Sequence, residues 1–112
     1  MQHEMLTGYR AMWMLVMFDL PVTEPEERAS ATRFRNSLLD LGFEMAQFSV
    51  YLRYVGGKEA AEAMTKKVEV ATPPAGEVQI LFFTDKQYEK IVTIKTRARQ
   101  PANQNPSQFT LF

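Results

Sequence analysis

Eight apolar residues run unbroken from Ala11 to Phe18, and a single carboxylate, Asp19, follows them before Leu20 and Pro21. The run is too short to cross a membrane, which takes about 20 apolar residues in a helix. Its Met, Trp, Val and Phe content suits a central β-strand buried on both faces. An unpartnered charge is costly deep inside such a strand. Asp19 therefore belongs at the strand's carboxyl end, where the chain emerges. Open α/β architectures place polar chemistry at strand ends, which makes Asp19 the first functional candidate.

A chain of 112 residues is one domain. With 46% hydrophobic and 12% aromatic residues it can bury a real core. Its 13 basic and 13 acidic side chains cancel, which argues against avid, non-specific binding to nucleic acid by counterion release. A polyanion site then requires segregated charge, and after Asp85 the chain carries Lys86, Lys90, Lys95, Arg97 and Arg99 against Glu89 alone. The absence of Cys excludes disulfides and thiol catalysis and fits the cytoplasm. Residues 1–10 lack the charged-then-apolar layout of a signal peptide. The expectation is a soluble cytoplasmic chain with no membrane partner. The one His, His3, has no partner in view and reads as inert.

Beyond Asp19, Thr23 with Glu26 three positions later reads as a capping box, and Pro25 suits a first helical turn. Ala31, Phe34, Leu38 and Leu41 fall on one helical stripe, and Gly42 ends it, so a helix is expected over about Glu24–Leu41. Arg28 and Arg35 lie on one flank of the stripe and Arg33 on the other. They read as solvated arginines whose stems cover the core's edge, or as a phosphate-contacting flank; helix geometry alone favours the first. Phe43–Val55 is β-favouring throughout and reads as a hairpin, Phe43–Gln47 against Phe48–Tyr54, without an Asn-Gly-type turn signal. Lys58–Ala71 is a second helix with Ala61, Met64, Val68 and Ala71 as its stripe, and Thr72–Gly76 breaks it. Glu77–Thr84 is a strand apolar on both faces. Asp85–Glu89 reads as one helical turn with Asp85 as cap, and Ile91–Thr96 as a short strand. Arg97–Ser107 is a polar arm, and Phe109–Phe112 turns apolar again.

This order is the α+β, ferredoxin-like βαββαβ plan over residues 1–96, with residues 97–112 as a C-terminal arm and extra strand. Right-handed crossovers put both helices on one face of the sheet. The strands Ala11–Phe18 and Val78–Phe83 are nevertheless apolar on both faces. The economical cover for the second face is another copy of the sheet, a face-to-face twofold homodimer. The C-terminal strand suits addition to the partner's sheet edge, or an edge strand within its own chain. Dimerisation also changes the meaning of Asp19. One aspartate is a poor Mg²⁺ site, but a twofold axis near the strand ends would let two Asp19 side chains share a hydrated Mg²⁺ or Mn²⁺. Such an ion activates water and neutralises a phosphodiester. The plainer alternative is that Asp19 accepts backbone N–H bonds in its own loop, and composition alone favours it.

Three blocks now carry a resemblance: MFDLP at Met17–Pro21, RFRNSLLDLGFEMAQFSVYLRY at Arg33–Tyr54, and ILFFTDKQYEKI at Ile80–Ile91. Together they resemble CRISPR-associated protein 2, in wording close to versions from type II systems. The resemblance spans roughly residues 12–94. It implies a ferredoxin-like homodimer whose C-terminal strand pads the partner's sheet. It also implies a role in spacer acquisition, in which the dimer bridges two dimers of the CRISPR-associated protein 1 integrase and holds a prespacer DNA duplex. Some members are reported as metal-dependent nucleases on RNA or DNA that use the aspartate ending the first strand, here Asp19. The family's basic contacts vary in position, so Arg28, Arg33, Arg35, Lys95, Arg97 and Arg99 are candidates on charge and placement alone.

Two functions follow: a non-catalytic adaptor, and a Mg²⁺-dependent endonuclease with Asp19 as metal ligand and catalytic residue. Sequence alone offers one carboxylate, no nearby His and no acid two residues on, and so favours the adaptor. A ferredoxin-like RNA-binding module is the reading from outside the family. It fits less well, because the aromatic signature of a sheet-surface RNA binder is missing.

Overall fold

The apolar run forms the strand expected of it. The computed structural model describes residues 12–96, and β1 spans Met12–Asp19. Met12, Met14, Val16 and Phe18 are buried on one face, while Trp13, Leu15 and Met17 are half-buried on the other and Asp19 is exposed. The remaining elements are α1 (Pro25–Asp40), β2 (Glu44–Gln47), β3 (Val50–Gly56), α2 (Lys58–Ala71), β4 (Glu77–Thr84) and α3 (Asp85–Glu89). The sheet is antiparallel throughout, with order β2-β3-β1-β4. This is a small α+β fold compatible with the ferredoxin-like plan.

Both long helices bury their stripes against the same face of β1. Ala31, Phe34 and Leu38 of α1 and Ala61, Met64 and Val68 of α2 are buried. The Phe34 ring stands edge-on to Phe18 with centroids 5.0 Å apart, a favoured aromatic geometry. The cap of α1 lies one residue later than expected. Pro25 occupies the first helical position, so Glu24 is the N-cap. Glu27 Oε1, rather than Glu26, accepts from the backbone N–H groups of Thr23 at 3.0 Å and Glu24 at 2.9 Å. At the other end the N–H groups of Gly42 and Phe43 bond the carbonyls of Leu39 and Leu38, which closes the helix. The β2–β3 hairpin forms around Phe48 and Ser49, with Ser49 at φ 60° where an Asn-Gly turn would place glycine.

The second face of the sheet is not left wholly to a partner. Thr84, not Asp85, caps α3: its Oγ1 accepts from the Gln87 N–H at 3.2 Å. Asp85 is thereby released to accept from Trp13 Nε1 at 2.8 Å. The helix folds back so that the Tyr88 ring stacks on Trp13 at 4.0 Å, with Tyr54 edge-on at 5.5 Å. This third helix covers one end of the face that two helices were expected to leave bare. Farther along, Leu81 remains 47% exposed. Ile91–Thr96 is irregular instead of a strand. Among the described residues no strand pairs with it, and alternation alone does not hold an unpaired strand. His3, the expected arm and the expected strand at Phe109–Phe112 lie outside the described residues.

Trp13 is the sole tryptophan, so its emission reports on this cluster. Tyr88→Ala is expected to red-shift that emission and to cost about 1 kcal/mol of stability. An unchanged spectrum would mean that α3 does not hold the indole in solution.

Candidate functional site

Asp19 closes β1 because the backbone can pair there while the side chain reaches water. Antiparallel pairing sets its surroundings. All eight residues of β1 are in register with β4, from Met12 opposite Thr84 to Asp19 opposite Glu77. Two exposed carboxylates therefore stand across from each other at the same end of the sheet. Directly opposed residues of antiparallel strands have Cβ atoms about 4.5–5.5 Å apart, and like charges so placed are destabilising. A shallow cleft lined by Met17, Phe18, Asp19, Glu77 and Gln79 holds the pair.

The neighbouring turns fix this end from both sides. Gly76, at φ 101°, packs so closely that a Cβ there would lie 2.8 Å from the Asp19 carbonyl oxygen and 2.7 Å from Leu20 Cδ2. Across β1, the Phe18 N–H donates to the Ser49 carbonyl at 3.1 Å, which anchors the hairpin turn beside Asp19. Glu77 is the functional candidate that sequence reading missed. The signal was present: two apolar strands of similar length, one ending and one beginning in an acid, pair end to end when antiparallel.

The candidate cations are spread around this site. Arg28 Nη1 donates to the carbonyls of Val22 at 3.2 Å and Thr23 at 2.8 Å, bracing the loop that leaves Asp19. Arg35 Nη2 donates to Thr32 Oγ1 at 3.3 Å on its own helix. Arg33 is exposed and lines a cleft with Pro21, Glu26, Ser30 and Pro73. Lys95 is exposed beyond α3, and Arg97 and Arg99 lie outside the described residues. The structure thus brings Asp19 together with Glu77, and Arg28, on the first turns of α1, reaches back to the carbonyls of the adjoining loop. Arg33 and Arg35 belong to the helix layer, on the far side of the sheet from Asp19. The pair's oxygen donors fit a hard divalent cation such as Mg²⁺, which takes one or two carboxylates and completes its shell with water and substrate phosphate. Among the described residues no group of three or more His, Cys, Asp or Glu gathers to hold a metal, so one protomer supplies two carboxylates at this end.

A family model described as CRISPR associated protein Cas2 matches residues 12–91. The chain belongs to the Cas2 family. This Cas2-family chain is 56% identical over 108 residues to a protein of Paracidovorax avenae, covering 96% of this chain and all of that one. It is 44% identical over 101 residues to a protein of Parvibaculum lavamentivorans, covering 90% of this chain and all of the relative. It is 45% identical over 107 residues to one of Flavobacterium psychrophilum, covering 96% and 93% of the two chains. All three relatives bear the name CRISPR-associated endoribonuclease Cas2. The resemblance in the three sequence blocks is thereby borne out, and the CRISPR and endoribonuclease terms stand in the names of the relatives. Among the described residues no helix is long and apolar enough to cross a membrane.

Proposed function

We propose that the chain is a homodimeric subunit of CRISPR adaptation, in which it bridges integrase dimers and cradles a prespacer duplex. The observation that supports this is the open face of the sheet. Tyr88 covers only the Trp13 end, and Leu81 stays 47% exposed beside half-buried Leu15, Met17 and Phe83. A second copy laid on that face buries it. Residues 97–112 then serve as the arm that reaches the partner's sheet. The arginines of α1, with Lys95, Arg97 and Arg99, contact the duplex backbone and do not read its sequence. Light scattering is expected to give a dimer at micromolar concentration and a folded monomer for Leu81→Glu. A well-folded wild-type monomer would remove this reading.

A second reading is favoured by the Asp19–Glu77 pair together with the names of the relatives: a metal-dependent endoribonuclease. The pair answers the objection that the chain offers a single carboxylate. Asp19 and Glu77 bind the ion from adjacent strands, and a twofold axis near the strand ends would add the same carboxylates from the partner, so that two Asp19 share one Mg²⁺ or Mn²⁺. Such an ion, when bound, activates water and neutralises phosphodiester charge. The chain's own contribution is to hold two carboxylates at a fixed spacing, with Arg28 bracing the loop beside them. The two readings are compatible, and Asp19→Asn separates them.

A further inference from the structure

The β2–β3 turn puts a large aromatic ring in water. Phe48 is 92% exposed, and the next residue, Ser49, sits at φ 60°, a region that residues other than glycine seldom occupy. Two-residue hairpin turns are best served by Asn-Gly or Asp-Gly, so turn formation does not account for a phenylalanine here. Packing does not account for it either, since the ring is almost bare. The turn's location supplies a reason. Val50 pairs with Met17, and the Ser49 carbonyl accepts from the Phe18 N–H. Ser49 thus lies beside the carboxyl end of β1, about one strand spacing or 5 Å across the sheet, and Phe48 is the next residue of the turn, toward β2. Glu77 lies on the opposite side of Asp19. The end of the sheet therefore reads, in order, aromatic ring, aspartate, glutamate.

We propose that Phe48 is a stacking platform for one unpaired base of single-stranded RNA, which sets the adjoining phosphodiester over Asp19 and Glu77. The inference rests on the endoribonuclease reading and deepens it. Every base offers a π-face, so such a platform tolerates sequence. In a duplex the bases are already stacked on one another, so the platform selects unpaired strands. The surroundings favour a base over a protein partner. Interface anchors sit within apolar clusters, whereas this ring has Gln47 and Ser49 as chain neighbours and a carboxylate one strand away. The candidate cation that touches the loop after Asp19 is Arg28 of α1, whose guanidinium donates to the carbonyls of Val22 and Thr23.

The test is binding of a short fluorescently labelled RNA by anisotropy, in EDTA so that cleavage does not intervene, with the matching duplex as comparator. Phe48→Ala is expected to weaken single-strand binding about tenfold and to leave duplex binding unchanged. Phe48→Trp should retain the affinity. An abasic site scanned along the strand should cost affinity in the wild type and not in Phe48→Ala. Equal single-strand affinity of wild type and Phe48→Ala overturns the platform. If that equality comes with a shift from dimer to monomer in light scattering, the ring serves a second copy of the chain, and the platform is overturned. No single-strand binding by the wild type overturns it as well. Phe48-dependent binding without any cleavage in Mg²⁺ or Mn²⁺ removes the endoribonuclease reading and leaves the platform standing.

Discussion

Asp19→Asn is expected to lower divalent-cation-dependent RNA cleavage by at least about a hundredfold, because even groups that merely orient a metal's ligands are worth roughly 10- to 100-fold. The same variant should raise the stability of the metal-free protein. Asp19 and Glu77 face each other as like charges, and relieving such a pair is worth about 0.2–1 kcal/mol at low salt. For a domain of this size that is a rise in Tm of about 1–5 °C. Glu77→Gln should do the same. The decisive readout is the response to Mg²⁺ or Mn²⁺, which should raise the wild-type Tm by mass action and leave both variants unmoved. Neutralising a carboxylate thus stabilises the empty protein and removes its gain from the cation. A purely structural Asp19 would behave oppositely, with stability lost and no change in cation response. Cleavage that persists in Asp19→Asn at wild-type rate would end the endoribonuclease reading. Spacer integration that survives in the same variant would leave the adaptor reading intact.

The parts of this molecule that could be read from the sequence are those fixed by short-range pattern. Lys58–Ala71 and Glu77–Thr84 take their expected bounds because a helical stripe and an unbroken apolar strand each declare themselves within one segment. The helix before them is found with its stripe intact, and only its cap slips, since Pro25 settles which residue precedes the first turn. What escaped reading depends on residues far apart in the chain. Trp13 and Asp85 are separated by 72 positions, and nothing local to Asp85–Glu89 says that its tyrosine returns to the sheet. The candidate site divides in the same way. Asp19 is conspicuous as the charge that ends an apolar run. Glu77 and Phe48 become its neighbours only once strand register is known.

Gly76→Ala is expected to be the most damaging small substitution at this end of the sheet. An alanine at φ 101° pays for a backbone conformation that L-residues avoid, about 1–3 kcal/mol. Its Cβ would also lie 2.8 Å from the Asp19 carbonyl oxygen, which is backbone and cannot swing aside. Together these predict a loss of about 2–4 kcal/mol, a large share of the 5–15 kcal/mol typical of a folded domain. Gly56→Ala is the control. Gly56 has a similar φ of 86°, but nothing lies within 4 Å of the added Cβ, so it bears the backbone cost alone. The extra drop in Tm at position 76 therefore measures the contacts with Asp19 and Leu20. Gly56 also pairs with Met12, at the opposite end of β1 from the carboxylates. Gly76→Ala should accordingly blunt the stabilisation by Mg²⁺ in whatever fraction remains folded, because it displaces Asp19 relative to Glu77, while Gly56→Ala should keep the full response. Equal losses of stability and equal cation responses in the two variants would mean that the turn before β4 does not set the spacing of the carboxylates.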